Sequence, residues 1–265
     1  MSGMNDGHTS GRLARILAQK RAELPALRAQ RWPAAPAPRP FSLRRADGRG
    51  DLKLISEIKF RSPSAGALST VLSVTERARA YQRAGASMIS VLCDTSFFDG
   101  SFAHLAEARA ACDLPLLCKE FVIDESQLDA AVAHGADAVL LIVRCVSEER
   151  LNQLTRAARE RKLEPFVEVV SDEESRMALG AGASLIGVNA RDLDTLVMDA
   201  TRAARVLAEL PASVTRVHLS GIARPEDVER LRSSPADAAL LGEALMREDQ
   251  PEARLRALVG AAALA

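Results

Sequence analysis

Eight short apolar segments recur along the chain from residue 51 to the C-terminus, and amphipathic segments separate them. Each apolar segment is too short for a buried helix and is rich in Val, Ile or Leu. This is the pattern expected for parallel strands that are covered on both faces. The predicted strands are residues 51–58, 87–93, 114–119, 137–143, 164–170, 184–189, 215–220 and 237–242.

The segments between these strands have apolar residues spaced three and four apart, as in amphipathic helices. The tripeptides "AGA", "HGA" and "AGA" at 84–86, 134–136 and 181–183 each mark the end of a helix before a strand. Eight such units predict an α/β fold, a (β/α)8 TIM barrel. A doubly wound open sheet is the alternative. Its first strand would normally be followed by a GxGxxG turn, which "FRSPSAG" does not match.

The first 50 residues differ from the rest in composition. They hold ten Lys or Arg against three Asp or Glu and include the proline-rich stretch "PAAPAPRP". We predict a basic N-terminal helical extension and linker over residues 1–50, followed by a barrel domain over residues 51–265. An RNA-binding arm is an alternative, but the segment lacks interleaved aromatic residues. Over the whole chain 35 basic residues balance 35 acidic ones, so we expect no nucleic-acid partner.

The composition excludes several other classes of protein. Hydrophobic residues make up 48% of the chain, yet no uncharged apolar run has membrane-spanning length, and the N-terminus lacks an apolar signal core. We therefore expect a cytoplasmic protein without a membrane partner. The four cysteines form no CxxC pair, so they are predicted to be small core residues or inert thiols, with no metal site.

Polar side chains stand at the C-terminal ends of most predicted strands, which is where TIM barrels carry their chemistry. Any one of them alone could be an ordinary solvated strand end, but together they predict a functional mouth. Thirty of the 35 basic residues are Arg, so lysine at two strand ends favours proton transfer, which Arg does not perform. The strand-end residues are Glu57, Lys59, Asp94, Lys119, Glu120, Arg144, Glu168, Asn189, Arg191, Ser220, Gly221, Gly242 and Glu243.

The last two predicted strands each end in a glycine just before a helix, in "SGIARPED" and "LGEALMRE". Phosphate commonly binds above the seventh and eighth strands of such barrels, where backbone N–H groups can approach it. These loops predict a small-molecule phosphorylated substrate.

Eight motifs in order resemble the indole-3-glycerol phosphate synthase family of tryptophan biosynthesis. The similarity covers about residues 50–250, and the N-terminal helical segment resembles that of the family. The motifs are "SEIKFRSPSAG", "ISVLCDTSFFDGS", "LLCKEFVIDESQ", "GADAVLLIV", "FVEVVSDEE", "IGVNARDLDTL", "SGIARPEDV" and "LLGEALMRE".

The resemblance implies a decarboxylating and dehydrating ring closure of 1-(2-carboxyphenylamino)-1-deoxyribulose 5-phosphate, without cofactor or metal. It implies that Lys119 is the general acid for the ketone and that Glu168 accepts a proton in the dehydration. It implies that Lys59 binds the ring carboxylate and is a second proton donor, held by Glu57. It also implies that Asn189 orients a ribulose hydroxyl.

For oligomeric state we expect a monomer, with a weak homo-oligomer as the alternative.

The resemblance also implies a set of substrate-binding residues with three tasks. Arg191 contacts the ring end of the substrate, five residues hold its phosphate region, and four form an apolar wall for its aromatic ring. The phosphate residues are Ser62, Ser220, Gly221, Gly242 and Glu243, and the wall residues are Pro63, Phe121, Leu140 and Leu193.

The chain departs from the family pattern at a few positions. Leu219 stands where the family usually has a glutamate, and Glu120 replaces the usual aspartate after the catalytic lysine. Two alternatives therefore remain open. One is another phosphosugar barrel, such as the preceding isomerase or a paralogue of specialised metabolism. The other is a barrel that binds a phosphorylated metabolite without turning it over.

Overall fold

The structure, a computed structural model, describes residues 11–45 and 50–263. Eight parallel strands close into one barrel, and each pairs with its neighbours in chain order until the last returns to the first. The predicted (β/α)8 TIM barrel is confirmed. Its strands are β1 (Lys53–Ile58), β4 (Met88–Leu92), β5 (Leu116–Lys119), β6 (Ala138–Ile142), β7 (Glu164–Val169), β8 (Leu185–Asn189), β9 (Thr215–Leu219) and β10 (Ala238–Leu241).

Two very short strands, β2 (Arg61–Ser62) and β3 (Gly66–Ala67), form an antiparallel hairpin in the loop after β1. Helix α1 (Arg12–Ala29) precedes the barrel, and the other helices alternate with the strands. These are α2 (Val74–Ala84), α3 (Thr95–Phe98), α4 (Phe102–Ala111), α5 (Glu125–Ala133), α6 (Glu148–Glu160), α7 (Asp172–Gly180), α8 (Ala200–Glu209), α9 (Pro225–Arg232), α10 (Glu243–Met246) and α11 (Pro251–Ala262).

Local sequence explains where these helices begin and end. Ser73 caps α2 by accepting a hydrogen bond from the Glu76 N–H, while the Glu76 side chain accepts one from the Ser73 N–H. At the other end of α2, Gly85 adopts φ +91°, a left-handed conformation that glycine reaches without steric cost. The glycines of the two related tripeptides, Gly135 and Gly182, share this conformation. The tripeptides therefore end helices as predicted.

The buried apolar residues form two layers. One layer fills the inside of the barrel and includes Ile55, Met88, Phe166 and Val217, while the other lies between the strands and the outer helices. Alternate residues of each strand point to alternate layers because side chains on a strand point to opposite faces. The strand ends are thus held rigidly by packing on both sides.

The N-terminal segment runs from one end of the barrel to the other. At the C-terminal ends of the strands, the Leu13 N–H donates to Asp194 at 2.9 Å, and Lys20 pairs with Asp94 and Glu120. Residues 30–45 form neither helix nor strand and reach the opposite end, where the Arg45 N–H donates to Asp237 at 3.1 Å. The expected helix and extended linker are present, while the domain boundary at residue 50 stays a prediction.

In the described part of the chain, no helix combines the length and the apolar character needed to cross a membrane. Its four cysteines are all free and buried. Burial raises the pKa of the Cys93 and Cys145 thiols well above the ordinary value, which keeps them protonated. The prediction that the cysteines are buried is confirmed, and their inertness stays a prediction.

Candidate active site

A cavity of about 520 Å³ opens at the C-terminal ends of the barrel strands. This volume suits a substrate of the size of a small phosphorylated metabolite. All fifteen residues predicted for catalysis or substrate binding line this cavity. Along the chain they extend from Glu57 in β1 to Glu243, which follows β10. Their convergence is a finding, while the role of each remains to be tested.

A continuous row of polar contacts crosses the floor of this cavity. Lys119 Nζ, at the end of β5, lies 3.5 Å from Glu168 Oε2 on β7. Asn189 Nδ2, at the end of β8, donates to Glu168 Oε1 at 2.9 Å, and Ser220 Oγ donates to Asn189 Oδ1 at 2.8 Å. The Glu168 side chain is only 2% exposed, whereas that of Lys119 is 20% exposed. Lys119, whose ammonium can reach a ligand, is therefore paired with the buried carboxylate of Glu168.

Glu57 and Lys59 form a second ion pair, on the other side of the cavity. Glu57 lies in β1 and Lys59 just after it, and Lys59 Nζ is 2.6 Å from Glu57 Oε1. Glu57 Oε2 is buried and accepts no hydrogen bond from any described residue. A buried acceptor without a hydrogen bond destabilises the folded protein unless a ligand or a water molecule donates to it. The pair thus faces the cavity rather than the outer surface.

The loop after β10 approaches this pair closely. A Cβ added to Gly242 would collide with Glu57 Oε1 and would come within 3.1 Å of Lys59 Nζ. A side chain at position 242 would fit only if the ion pair moved, because the pair occupies the space that the side chain would need. Lys59 is therefore placed beside the predicted phosphate loop in this structure.

Replacing Gly242 by alanine is expected to impair both substrate binding and catalysis. The methyl group must push the Glu57–Lys59 pair out of its position, and it also crowds the predicted phosphate loop. We expect KM to rise and kcat to fall, each by about tenfold, because misplaced catalytic groups lose activity steeply with distance. Steady-state kinetics checks this, with Gly180→Ala as a control because a Cβ there meets no atom within 4 Å. Unchanged kcat would mean that the pair has no part in the chemical step.

The loop after β9 has an unusual backbone. Ser220 and Gly221 both adopt left-handed conformations, with φ of +71° and +78°. The strain at Ser220, a residue other than glycine, is typical of functional positions. It aims the Ser220 hydroxyl at Asn189, so the predicted phosphate loop is joined to the polar row.

Apolar side chains form one wall of the cavity. Phe121, Leu140 and Leu193 come from the loops and strands of the barrel, and Ile16 comes from α1. The ring of Phe98 lies 5.9 Å from that of Phe121 at a tilt of 35°, and it extends this wall. Such a surface suits an aromatic group.

Leu219 lies at the end of β9, with its side chain inside the barrel as part of the inner layer. It is 2% exposed, borders the cavity and packs against Gly187 and Phe166. Where a glutamate would add a carboxylate, this chain has an apolar side chain. The row from Lys119 to Ser220 is complete without it.

Two strand-end residues do not reach the cavity. Arg144 turns away and pairs with Glu174 and Asp192, and so it fixes the loop after β8 that carries Leu193. Asp94 is fully buried against Lys20. Both support loops of the mouth without lining it.

Sequence reasoning missed the contribution of α1. Arg12 and Ile16 line the cavity, and Lys20 is buried between Asp94 and Glu120, the residue that follows Lys119. Burial raises the pKa of Glu120 to about 7, with the negative charge of Asp94 adding to this effect and the ammonium of Lys20 opposing it. The only signal for Lys20 was its identity as one of five lysines in an arginine-rich chain.

Comparisons with known proteins show the family of this chain. The chain is 44% identical to the indole-3-glycerol phosphate synthase of Exiguobacterium sp., over 82% of this chain and 85% of that protein. It is 41% identical to indole-3-glycerol phosphate synthase 2 of Streptomyces coelicolor, over 95% of this chain and 100% of that protein.

Among solved structures, thiamine phosphate pyrophosphorylase from Pyrococcus furiosus shares the fold at a TM-score of 0.61 and 17% identity, over 80% of this chain and 95% of that one. At this identity the likeness concerns the fold alone. A family model for indole-3-glycerol phosphate synthase matches residues 12–258. With that match over most of its length, the chain belongs to the indole-3-glycerol phosphate synthase family.

Proposed function

We propose that the cavity closes the pyrrole ring of indole-3-glycerol phosphate, as a carbon–carbon lyase of tryptophan biosynthesis that releases CO₂ and water. The observation that carries this proposal is the row from Lys119 through Glu168 and Asn189 to Ser220, in which an ammonium, a carboxylate, an amide and a hydroxyl lie in contact in one cavity. The relatives named above bear the name of this activity.

In the first step the aromatic carbon that bears the carboxylate attacks the ketone carbon of the ribulose chain. Lys119 donates a proton to the ketone oxygen, so the negative charge that would develop there is neutralised as the new C–C bond forms. The bond to the carboxylate then breaks, CO₂ leaves, and its electron pair restores the aromatic ring.

In the second step the hydroxyl formed from the ketone leaves as water. Glu168 takes the proton from the neighbouring carbon, and Lys59 donates a proton to the leaving hydroxyl. Glu57 holds Lys59 through the 2.6 Å contact, and Asn189 orients a substrate hydroxyl while it also fixes Glu168. The loops that carry Ser62, Ser220 and Gly242 bind the phosphate, and the apolar wall binds the aromatic ring.

We include the predicted cytoplasmic location and monomeric state in this proposal. The reaction as written uses only protein side chains and releases CO₂ and water.

The direct experiment mixes the purified chain with 1-(2-carboxyphenylamino)-1-deoxyribulose 5-phosphate and follows indole fluorescence. We expect fluorescence to rise with time and with enzyme concentration, and CO₂ to be released in equal amount. A flat signal from a chain that still binds the substrate would identify a binding protein instead, the alternative that the apolar side chain of Leu219 supports.

Glu168→Gln is expected to slow the dehydration step by about 10²–10³-fold because the amide keeps the shape of the side chain but cannot accept the proton. Its hydrogen bond with Asn189 can persist, since the amide oxygen still accepts. Single-turnover kinetics should therefore show CO₂ release ahead of indole formation, with the hydroxylated intermediate accumulating. If CO₂ and indole keep appearing together at the wild-type rate, another group removes the proton.

A further inference from the structure

Arg12 is the first residue of α1, and its side chain lines the cavity. Among the described residues, its solvent-shielded Nη1 atom has no hydrogen-bond partner, and no carboxylate lies within ion-pair distance of its guanidinium. A shielded cationic donor without a partner is costly in the free protein. An anionic group that enters the cavity would remove this cost.

The position of Arg12 is fixed by its neighbours. The Leu13 N–H donates to Asp194 Oδ1 at 2.9 Å, which anchors the first turn of α1 to the loop after β8. That loop also carries Leu193, and Ile16 follows Arg12 by one helical turn on the same face. Arg12 therefore lies beside Ile16 and the loop that carries Leu193, two parts of the apolar wall.

The substrate named above has two anionic groups, at opposite ends of the molecule. Its phosphate belongs with the glycine loops, and its carboxylate is attached to the aromatic ring that the apolar wall would bind. Lys59, which the family resemblance assigns to the carboxylate, is held by Glu57 next to Gly242. Arg191, which the resemblance assigns to the ring end, donates to the Leu196 carbonyl at 3.5 Å. Of the two anionic groups of the substrate, the ring carboxylate is therefore the one expected beside Arg12 at the apolar wall.

We propose that Arg12 is a substrate-binding residue whose guanidinium pairs with the ring carboxylate. A guanidinium can bind both carboxylate oxygens with parallel N–H donors, which fixes the plane of the group. The inference rests on the proposed function for the identity of the substrate. It gives the N-terminal helix a part in substrate selection in addition to its part in the fold.

A contact to the carboxylate has a specific kinetic consequence. The carboxylate loses its charge when CO₂ leaves, so the ion pair stabilises the bound substrate at least as much as the transition state for decarboxylation. Such uniform binding lowers KM without raising kcat. Arg12→Gln is therefore expected to raise KM by about tenfold, the size expected for one charge-assisted hydrogen bond, with kcat within twofold of wild type.

The test compares Arg12→Gln, Arg12→Lys and Arg15→Gln with wild type. Arg15 is an exposed residue of the same helix, so its variant controls for the loss of a surface charge. Binding is measured by calorimetry with two unreactive probes, the alcohol formed by reducing the substrate ketone and the same alcohol without the ring carboxylate. Inorganic phosphate is the third probe, and melting temperatures show whether each variant folds.

We expect Arg12→Gln to weaken binding of the carboxylate probe by about tenfold and to leave the other two probes within twofold of wild type. Arg12→Lys should restore part of the loss, and Arg15→Gln should bind all three probes normally. Equally weakened binding of both alcohols, or unchanged binding of both, would overturn the proposal.

Turnover by wild type is measured separately. A protein that binds the probes as expected but does not form the indole ring would refute the proposed function and leave the role of Arg12 standing.

Discussion

Replacing Lys119 by alanine is expected to lower kcat for ring closure by about 10²–10⁴-fold, while the reduced substrate analogue still binds. The loss is large because Lys119 acts on the charge that develops at the ketone oxygen and contributes less to the bound ground state. Its side chain is 20% exposed and 3.5 Å from the buried Glu168, so it is the member of the pair that can contact a ligand.

Lys119→Arg is the matched control because it keeps the positive charge but not the ability to donate a proton near neutral pH. We expect Lys119→Arg to remain at least a hundredfold below wild type. A rate for Lys119→Ala within threefold of wild type would remove Lys119 from the mechanism. Recovery of most activity in Lys119→Arg would show that charge alone, rather than proton transfer, is required.

Much of this site could be predicted from sequence because a TIM barrel gathers the ends of its strands. Glu57, Lys119, Glu168 and Asn189 are far apart in the chain, yet each stands at or near the end of a strand. Once the eight strands were recognised, their convergence followed from the closed barrel. Residue spacing alone could not show that Arg144 turns outward to pair with Glu174 and Asp192, because that depends on side-chain rotamers.

The part of the site that came from outside the barrel could not be predicted in this way. Arg12, Ile16 and Lys20 belong to a helix with little amphipathic patterning, and the sequence does not show which face of the barrel it covers. Its position depends on tertiary contacts such as those with Asp194 and Glu120. A buried lysine is rare without paired charges, so its partners become visible only in the folded chain.

Replacing Lys20 by methionine is expected to lower the free energy of unfolding by about 3–5 kcal/mol because it leaves Asp94 and Glu120 buried without their cation. Lys20 Nζ lies 2.7 Å from Asp94 Oδ2 and 3.0 Å from Glu120 Oε1, and all three side chains are at most 3% exposed. For a chain of this size the loss corresponds to a fall in Tm of roughly 6–10 °C. Arg21→Met, at an exposed position of the same helix, should leave Tm within 1–2 °C, as surface substitutions usually do.

The loss of stability in Lys20→Met should also become larger as pH rises. Burial raises the pKa of Glu120 from 4.5 to about 7, and Lys20 opposes this rise. Without Lys20 the pKa of the folded form moves further up, so above pH 4.5 the folded variant binds more protons than the unfolded chain. Stability then falls as pH rises through this range. Melting curves should show a larger difference between Lys20→Met and wild type at pH 8 than at pH 5.5.

A second substitution can separate the loss of charge pairing from the loss of packing. Glu120→Gln in the Lys20→Met background removes one of the two uncompensated carboxylates, and the amide oxygen can still accept from the Phe121 N–H, as Glu120 Oε1 does at 2.7 Å. We expect the double variant to recover part of the lost Tm at pH 8 and little at pH 5.5, where Glu120 is already protonated. If the double variant melts at the same temperature as Lys20→Met at pH 8, the uncompensated charge on Glu120 is not the cause of the instability. Because Glu120 adjoins Lys119, a kcat that falls in Lys20→Met and recovers together with Tm in the double variant would further indicate that this buried cluster holds Lys119 in place.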